Sequence, residues 1–241
     1  MVGMTRYRLQ TSPDKAALAQ AAAVAMAEMI RAAATRQPRC VMALAGGSTP
    51  EAAYGHLGQE DLPWERVDLV LGDERWVDVQ DPASNARMVR RRLLSGSRAH
   101  RARLHPVPTH MPSPEAGARA YGNLLQTLCP GQPPRLDLAL LGLGDDGHTA
   151  SLFPGTAAVK VEDQWVTVGW GKGLPRVSMT APLLSAARQV IILVAGAAKR
   201  QALRRLLDPQ EDPARTPAKL VAPEGEVLVL CDEAAALPPV G

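Results

Sequence analysis

The sequence predicts an α/β fold, with a mostly parallel sheet covered by helices on both faces. Three observations point there. Near-continuous apolar runs, "CVMALA" (40–45), "VDLVLG" (67–72), "LDLALLG" (136–142) and "QVIILVAG" (189–196), read as strands buried on both sides. Segments of helical composition alternate with them, as a parallel sheet requires. The length of 241 residues suits one large domain. A chain of that size buries roughly three quarters of its unfolded surface and needs no staples.

The elements follow in order. "SPDKAALAQAAAVAMAEMIRAAATRQ" is an alanine-rich helix, with Ser12 as its expected cap and Pro13 in the first turn. After the strand "CVMALA", the stretch "GGSTP" breaks the chain. Ser48 or Thr49 can cap the next helix, and Pro50 suits its first turn. "VDLVLG" runs into an expected loop, "DERWVDVQDPASN", and then the helix "ARMVRRRLL". "RLHPV" is a short strand, and "SPEAGARAYGNLLQTL" is a helix with a serine–proline start. "WVTVGW" and "RVSMT" read as short strands after "LDLALLG". "QVIILVAG" precedes the helix "AAKRQALRRLLD", and "EVLVLC" is the last strand. The chain shows no internal repeat and no long linker. The proline-rich "HPVPTHMPSP" reads as a connection, so one domain over 1–241 is expected.

Composition excludes several function classes. Aromatic residues make up only 3%, with Phe153 the single phenylalanine, so base stacking on nucleic acid is poorly supplied. A net charge of +3 is too small to indicate a nucleic-acid or membrane partner. The arginine-dense "RMVRRRLL" and "SRAHRAR" read as a solvated helix face and its loop, with steering of an anionic substrate as the alternative. Cys40, Cys129 and Cys231 form no CxxC and no zinc-type pair with histidine. This usage fits a reducing cytosol. His100, His105 and His110, spaced by five, lack metal-site spacing, so no metal is expected. The N-terminal "MVGMTRYRLQ" lacks a signal-peptide core, and no uninterrupted apolar run reaches a membrane-spanning length. A cytoplasmic monomer, with neither nucleic-acid nor membrane partner, is the expectation.

Ligands in such sheets sit beyond the carboxyl ends of the strands. Three of the strongest strands end there in unusual polar loops: "GGSTP", "GDERW" and "GLGDDGH". Gly46 and Gly47 allow a tight turn into a helix start, whose free N–H groups favour phosphate. The Lys-Ser/Thr pair of a P-loop is missing. Asp73, Glu74 and Arg75 are either surface ion pairs or, at a strand end, site residues. Gly142, Gly144 and Gly147 match G-x-G-x-x-G, but Asp145 and Asp146 would repel a pyrophosphate, and the motif comes too late in the chain for a dinucleotide site. His148 can take a proton near neutral pH, and Asp146 can fix its tautomer. Ser151 lies outside a nucleophile elbow. Arg176 and Lys199 form a basic pair. Lys199, in the first turn of a helix, works against the helix dipole and suggests an anion nearby.

The motifs "ALAGGSTP", "LGDERWV" with "DPASNARM", "LGLGDDGHTASLFPG", "PRVSMTAPLLSAARQVIILVAGAAKR" and "PAKLVAPEGEVLVLCDEAA" resemble the 6-phosphogluconolactonase family over nearly the whole chain, in the same order. That resemblance implies hydrolysis of 6-phospho-D-glucono-1,5-lactone to 6-phosphogluconate, in the oxidative pentose phosphate pathway. It also implies a Rossmann-like fold shared with glucosamine-6-phosphate deaminase and ribose-5-phosphate isomerase, and no cofactor. By the motif matches, His148 is implied as the base that activates water, with Asp146 supporting it. Arg75 would stabilise the oxyanion. Gly47, Ser48 and Thr49, with Arg176 and Lys199, would hold the phosphate, and Asp73 belongs to the substrate-binding set. Asp78 departs from the family's usual proline. The segment 156–173 matches poorly and leaves Lys172 without a role. The related deaminases carry a glutamate five residues after the motif histidine, where this chain has Phe153. A sugar-phosphate-sensing regulator would need a helix-turn-helix, and the segment before "CVMALA" has no room for one.

Overall fold

The computed structural model describes residues 5–237. The elements in chain order are β1 (Arg6–Ser12), α1 (Lys15–Arg36), β2 (Cys40–Leu44), α2 (Ser48–Leu57), β3 (Val67–Leu71), β4 (Asp73–Arg75) and α3 (Asn85–Val89), which continues as a π turn over Arg90–Leu94. Then come β5 (Arg103–Leu104), α4 (Pro114–Leu128), β6 (Leu138–Gly142), β7 (Val166–Gly171), β8 (Leu174–Met179), α5 (Ala181–Ser185), β9 (Gln189–Val194), α6 (Arg200–Leu207) and β10 (Glu226–Asp232).

The main sheet has seven strands in the order β1-β10-β9-β6-β2-β3-β5, and every pairing in it is parallel. Every residue of β2 and β3 is buried, so helices cover both faces there, as their unbroken apolar runs require. From β2 the chain builds outward through β3 to β5. It then returns to β2's other side for β6 and builds the opposite way. The order therefore reverses between β2 and β6, which opens a crevice at their carboxyl ends. A second, three-stranded sheet, β4-β8-β7, is antiparallel and sits beyond that end.

Three local readings are corrected. The cap of α1 is Asp14, whose carboxylate accepts from the Ala17 N–H at 2.8 Å. Ser12 is instead the last residue of β1, paired with Asp232. Neither Ser48 nor Thr49 caps α2: both lie inside the helix, and Gly47 holds the cap position at φ 108°, a left-handed region that suits glycine. The expected loop after β3 begins with a strand, because Asp73–Arg75 pair with Arg176–Ser178 of β8. Ser113 does cap α4, accepting from the Ala116 N–H at 3.2 Å, with Pro114 next.

Helix α1 is long and apolar enough, by length and composition, to cross a membrane. Leu18, Ala22, Met26, Ile30 and Ala33 recur at helical spacing and are buried in the core beside the sheet. Its apolarity is therefore used inside the fold. Several arginines of the dense segments meet carboxylates: Arg92 with Glu51 at 2.6 Å, Arg98 with Asp61 at 3.6 Å and Arg101 with Glu65 at 3.8 Å. These are exposed pairs of a solvated face and add little stability.

Candidate active site

A cavity of about 370 Å³ opens at the carboxyl ends of β2, β3, β6 and β9, at the reversal of strand order. Gly47, Ser48, Thr49, Asp73, Arg75, His148, Arg176 and Lys199 all line it. Asp146 does not line it. It stands behind His148 and holds the imidazole from the rear.

The turn after β6 is shaped around that pair. The Gly144 N–H donates to the His148 carbonyl at 2.7 Å, and the Gly147 N–H to the Gly144 carbonyl at 3.1 Å. Gly147 sits at φ 93° against Thr216, and its carbonyl accepts from the Ala218 N–H at 3.0 Å. The turn leads into a Thr149–Leu152 bridge rather than an α-helix, which agrees with rejecting a dinucleotide loop. A Cβ at Gly144 would collide with His148 Nδ1 and the Asp146 carboxylate, so only glycine leaves room for them. Asp146 Oδ1 accepts from His148 Nδ1 at 2.6 Å and from the His148 backbone N–H at 3.0 Å. Burial pushes the Asp146 carboxyl upward, but these hydrogen bonds and the nearby imidazole outweigh it and hold the group below its ordinary value. With Nδ1–H given to the carboxylate, Nε2 keeps its lone pair free.

Strand β4 sets the other polar groups. Alternation along the strand separates the side chains of Asp73 and Arg75 from that of Glu74. Asp73 is buried: its Oδ2 accepts from Ser151 Oγ at 2.5 Å and lies 3.6 Å from Arg176 Nη1. Arg75 gives Nη1 to the Ala83 carbonyl at 2.9 Å and to Asn85 Oδ1. The other N–H groups of its guanidinium have no hydrogen-bond partner among the described residues, and it lines the cavity. Glu74 is buried and accepts from the N–H groups of Arg75, Asn85 and Ala86 at 2.9, 2.7 and 2.8 Å. Burial raises its pKa against those bonds. It ties the start of α3 to β4.

The cationic end lies around the start of α2, whose first N–H groups lack intrahelical partners. Arg176 reaches it from β8, only 7% exposed, with Nε donating to the Gly171 carbonyl at 3.2 Å. Lys199 stands just before α6, in a 3-10 turn, rather than inside that helix. Its Nζ is 3.8 Å from the exposed Asp145, a loose pair that a stronger anion can displace.

Sequence reasoning missed Asn85, Phe153 and Lys172 as cavity residues. Lys172 sits at the tip of the two-residue β7–β8 turn at φ 54°, followed by Gly173 at φ 78°. Such positive angles mark a tight primed hairpin turn. Other candidates fall elsewhere. His105 Nε2 bonds the buried Asp68 at 2.8 Å, and His100 Nδ1 bonds the Ser97 carbonyl at 2.9 Å. Among the described residues no group of three or more His, Cys, Asp or Glu side chains is arranged to hold a metal ion. The three cysteines are free and buried. Burial, reinforced by nearby carboxylates, pushes the Cys40 and Cys129 thiols up to about 12, which leaves no thiolate for chemistry near neutral pH.

An imidazole, backed from behind by a carboxylate, shares one crevice with a cationic end at the reversal of a parallel sheet. This defines the class: an α/β enzyme acting on a small phosphorylated substrate. Residues 13–230 match the family described as glucosamine-6-phosphate isomerases/6-phosphogluconolactonase, and the chain belongs to that family. It is 43% identical to a 6-phosphogluconolactonase of Synechocystis sp. over 92% of this chain and 94% of the relative. Identity to a 6-phosphogluconolactonase of Nostoc sp. is 40%, over 94% and 96% of the two chains. The solved 6-phosphogluconolactonase of Trypanosoma brucei superposes with a TM-score of 0.86 at 31% identity, covering 96% of this chain and 98% of that one.

Proposed function

We propose that the chain hydrolyses 6-phospho-D-glucono-1,5-lactone to 6-phospho-D-gluconate, the reaction of the oxidative pentose phosphate pathway. The observation that carries this reading is the 2.6 Å contact of Asp146 with His148 Nδ1, which leaves Nε2 as a base beside a cavity with a cationic far end. The start of α2 (Gly47, Ser48, Thr49), Arg176 and Lys199 hold the 6-phosphate. Asp73 accepts from a sugar hydroxyl through its uncommitted Oδ1.

His148 Nε2 takes a proton from a water as that water's oxygen attacks the lactone carbonyl carbon. The carbonyl π electrons move onto its oxygen, which Arg75 stabilises with its free N–H groups. The tetrahedral intermediate collapses, the ring C–O bond breaks, and the leaving ring oxygen recovers the proton from His148. One water is consumed and the acid ionises in solution. No step needs a metal or an organic cofactor.

Phe153 supports hydrolysis over deamination, since an apolar ring cannot shuttle the protons that ring opening and amine loss demand. The whole chain, 1–241, acts as one unit, as a monomer in the cytoplasm. The three free thiols support that compartment.

The test is the decay of freshly made 6-phosphogluconolactone, followed against its spontaneous hydrolysis. The purified chain is expected to accelerate it. No acceleration would overturn the reading. His148→Ala is expected to lower kcat by about 100-fold or more while binding of the acid product persists.

A further inference from the structure

We infer that Phe153, so far only a marker against deamination, is a positioning residue that holds the base and the phosphate clamp at a fixed spacing. The inference rests on the hydrolase reading above. Phe153 lines the cavity and is buried, 7% exposed. Its ring lies 4.3 Å from the His148 ring, centroid to centroid, at 34° between planes. The Arg176 guanidinium carbon lies 5.6 Å from the same centroid. One apolar plate therefore touches both the imidazole that meets the lactone and the cation that meets the phosphate.

The plate is itself fixed. A Cβ at Gly171 would strike the Phe153 ring, so the ring packs directly on the backbone of β7. The carbonyl of that same Gly171 accepts from Arg176 Nε at 3.2 Å. On the other side, the Phe153 carbonyl accepts from the Thr156 N–H at 3.2 Å and from Thr156 Oγ1 at 2.8 Å. The need for it follows from geometry. A single hydrogen bond at Nδ1 pins one atom of the imidazole, but the ring can still swing about that bond. A second contact on the ring face fixes its plane and hence the direction of the Nε2 lone pair. The guanidinium likewise has one hydrogen bond, from Nε to the Gly171 carbonyl, and a looser ion pair with Asp73 at 3.6 Å, and needs a surface to stop it tilting. Ring–ring and cation–ring contacts supply both restraints.

Phe153→Met is the informative variant, because methionine fills a comparable volume without a flat face. It is compared with Leu125→Ala, a fully buried site in α4 away from the cavity, as a control that loses stability only. Phe153→Met is expected to lower kcat about three- to tenfold, and to weaken binding of 6-phosphogluconate by calorimetry about threefold. Leu125→Ala changes neither constant, although its Tm falls. Phe153→Met changing kcat and product binding no more than Leu125→Ala would overturn the inference. An inactive wild type would defeat the hydrolase reading instead. The calorimetric arm would still read the Arg176 restraint, and unchanged affinity there would overturn the positioning role as well.

Discussion

Replacing Asp146 separates two things that its carboxylate does. Oδ1 is an acceptor for two N–H groups of His148, the backbone at 3.0 Å and the ring at 2.6 Å. Asparagine keeps an acceptor there: the backbone donor selects the amide oxygen, and that oxygen then holds Nδ1–H as before. Only the charge is lost. A hydrogen bond to a charged acceptor contributes about 1.5–3 kcal/mol, against about 0.5–1.5 for a neutral one. The Asp146 side chain is 46% exposed, so solvent screening puts the difference near about 1 kcal/mol. Asp146→Asn is therefore expected to lower kcat only about five- to tenfold. Asp146→Ala removes the anchor itself and should cost about 100-fold, close to the loss in His148→Ala. KM should hardly move in either variant, because Asp146 does not line the cavity. The assay is lactone decay over the spontaneous rate, at several substrate concentrations. Asparagine and alanine variants with equal losses would refute the anchoring account. A second readout is thermal stability against pH. The Asp146 pKa is depressed in the fold, so its contribution is present above the unfolded carboxyl value and lost as pH falls through the folded one. Asp146→Asn should flatten that acid-side loss.

Other substitutions address neighbouring parts. Gly144→Ala should leave a folded protein with kcat lowered about 100-fold, since the new methyl occupies the space of the His148–Asp146 pair; an active variant would mean that the turn can relax. Arg176→Ala should raise KM and lower stability by about 3 kcal/mol in a denaturant titration, because the buried Asp73 loses its cation. Unchanged KM would remove Arg176 from the phosphate end. Glu74→Gln sets an amide N–H against the donors of Ala86 and Ser84, and should destabilise by about 1–3 kcal/mol without directly altering product affinity.

The parallel sheet was legible because β2, β3, β6, β9 and β10 are nearly unbroken apolar runs. Strand β1 was not, because "RYRLQTS" is polar and mostly exposed; it forms by edge pairing with β10, which periodicity does not register. The same pairing explains the misplaced cap: Ser12 belongs to that ladder, and its backbone cannot also start α1. Strand β4 is three residues long, with charged side chains throughout, so only its partner β8 makes it a strand. The candidate site was legible wherever loop chemistry conflicted with a structural role, as in the carboxylates of a glycine-rich turn. Asn85 was hidden because it closes the polar stretch "DERWVDVQDPASN", which reads as a loop, although it starts α3 and its side chain packs against Gly46 and meets Arg75. Lys172 was hidden because its position depends on how the β7–β8 hairpin folds back over the cavity.

The uniform direction of the seven strands has a practical side. Strand β1 runs the same way as its neighbours, so the chain enters the sheet at the edge remote from the cavity mouth. A fusion partner or a solid support attached ahead of β1 would stand at the back of the molecule and leave the mouth facing bulk solution. Attachment beyond β10 would put that bulk on the same side as the opening, where it can crowd incoming sugar.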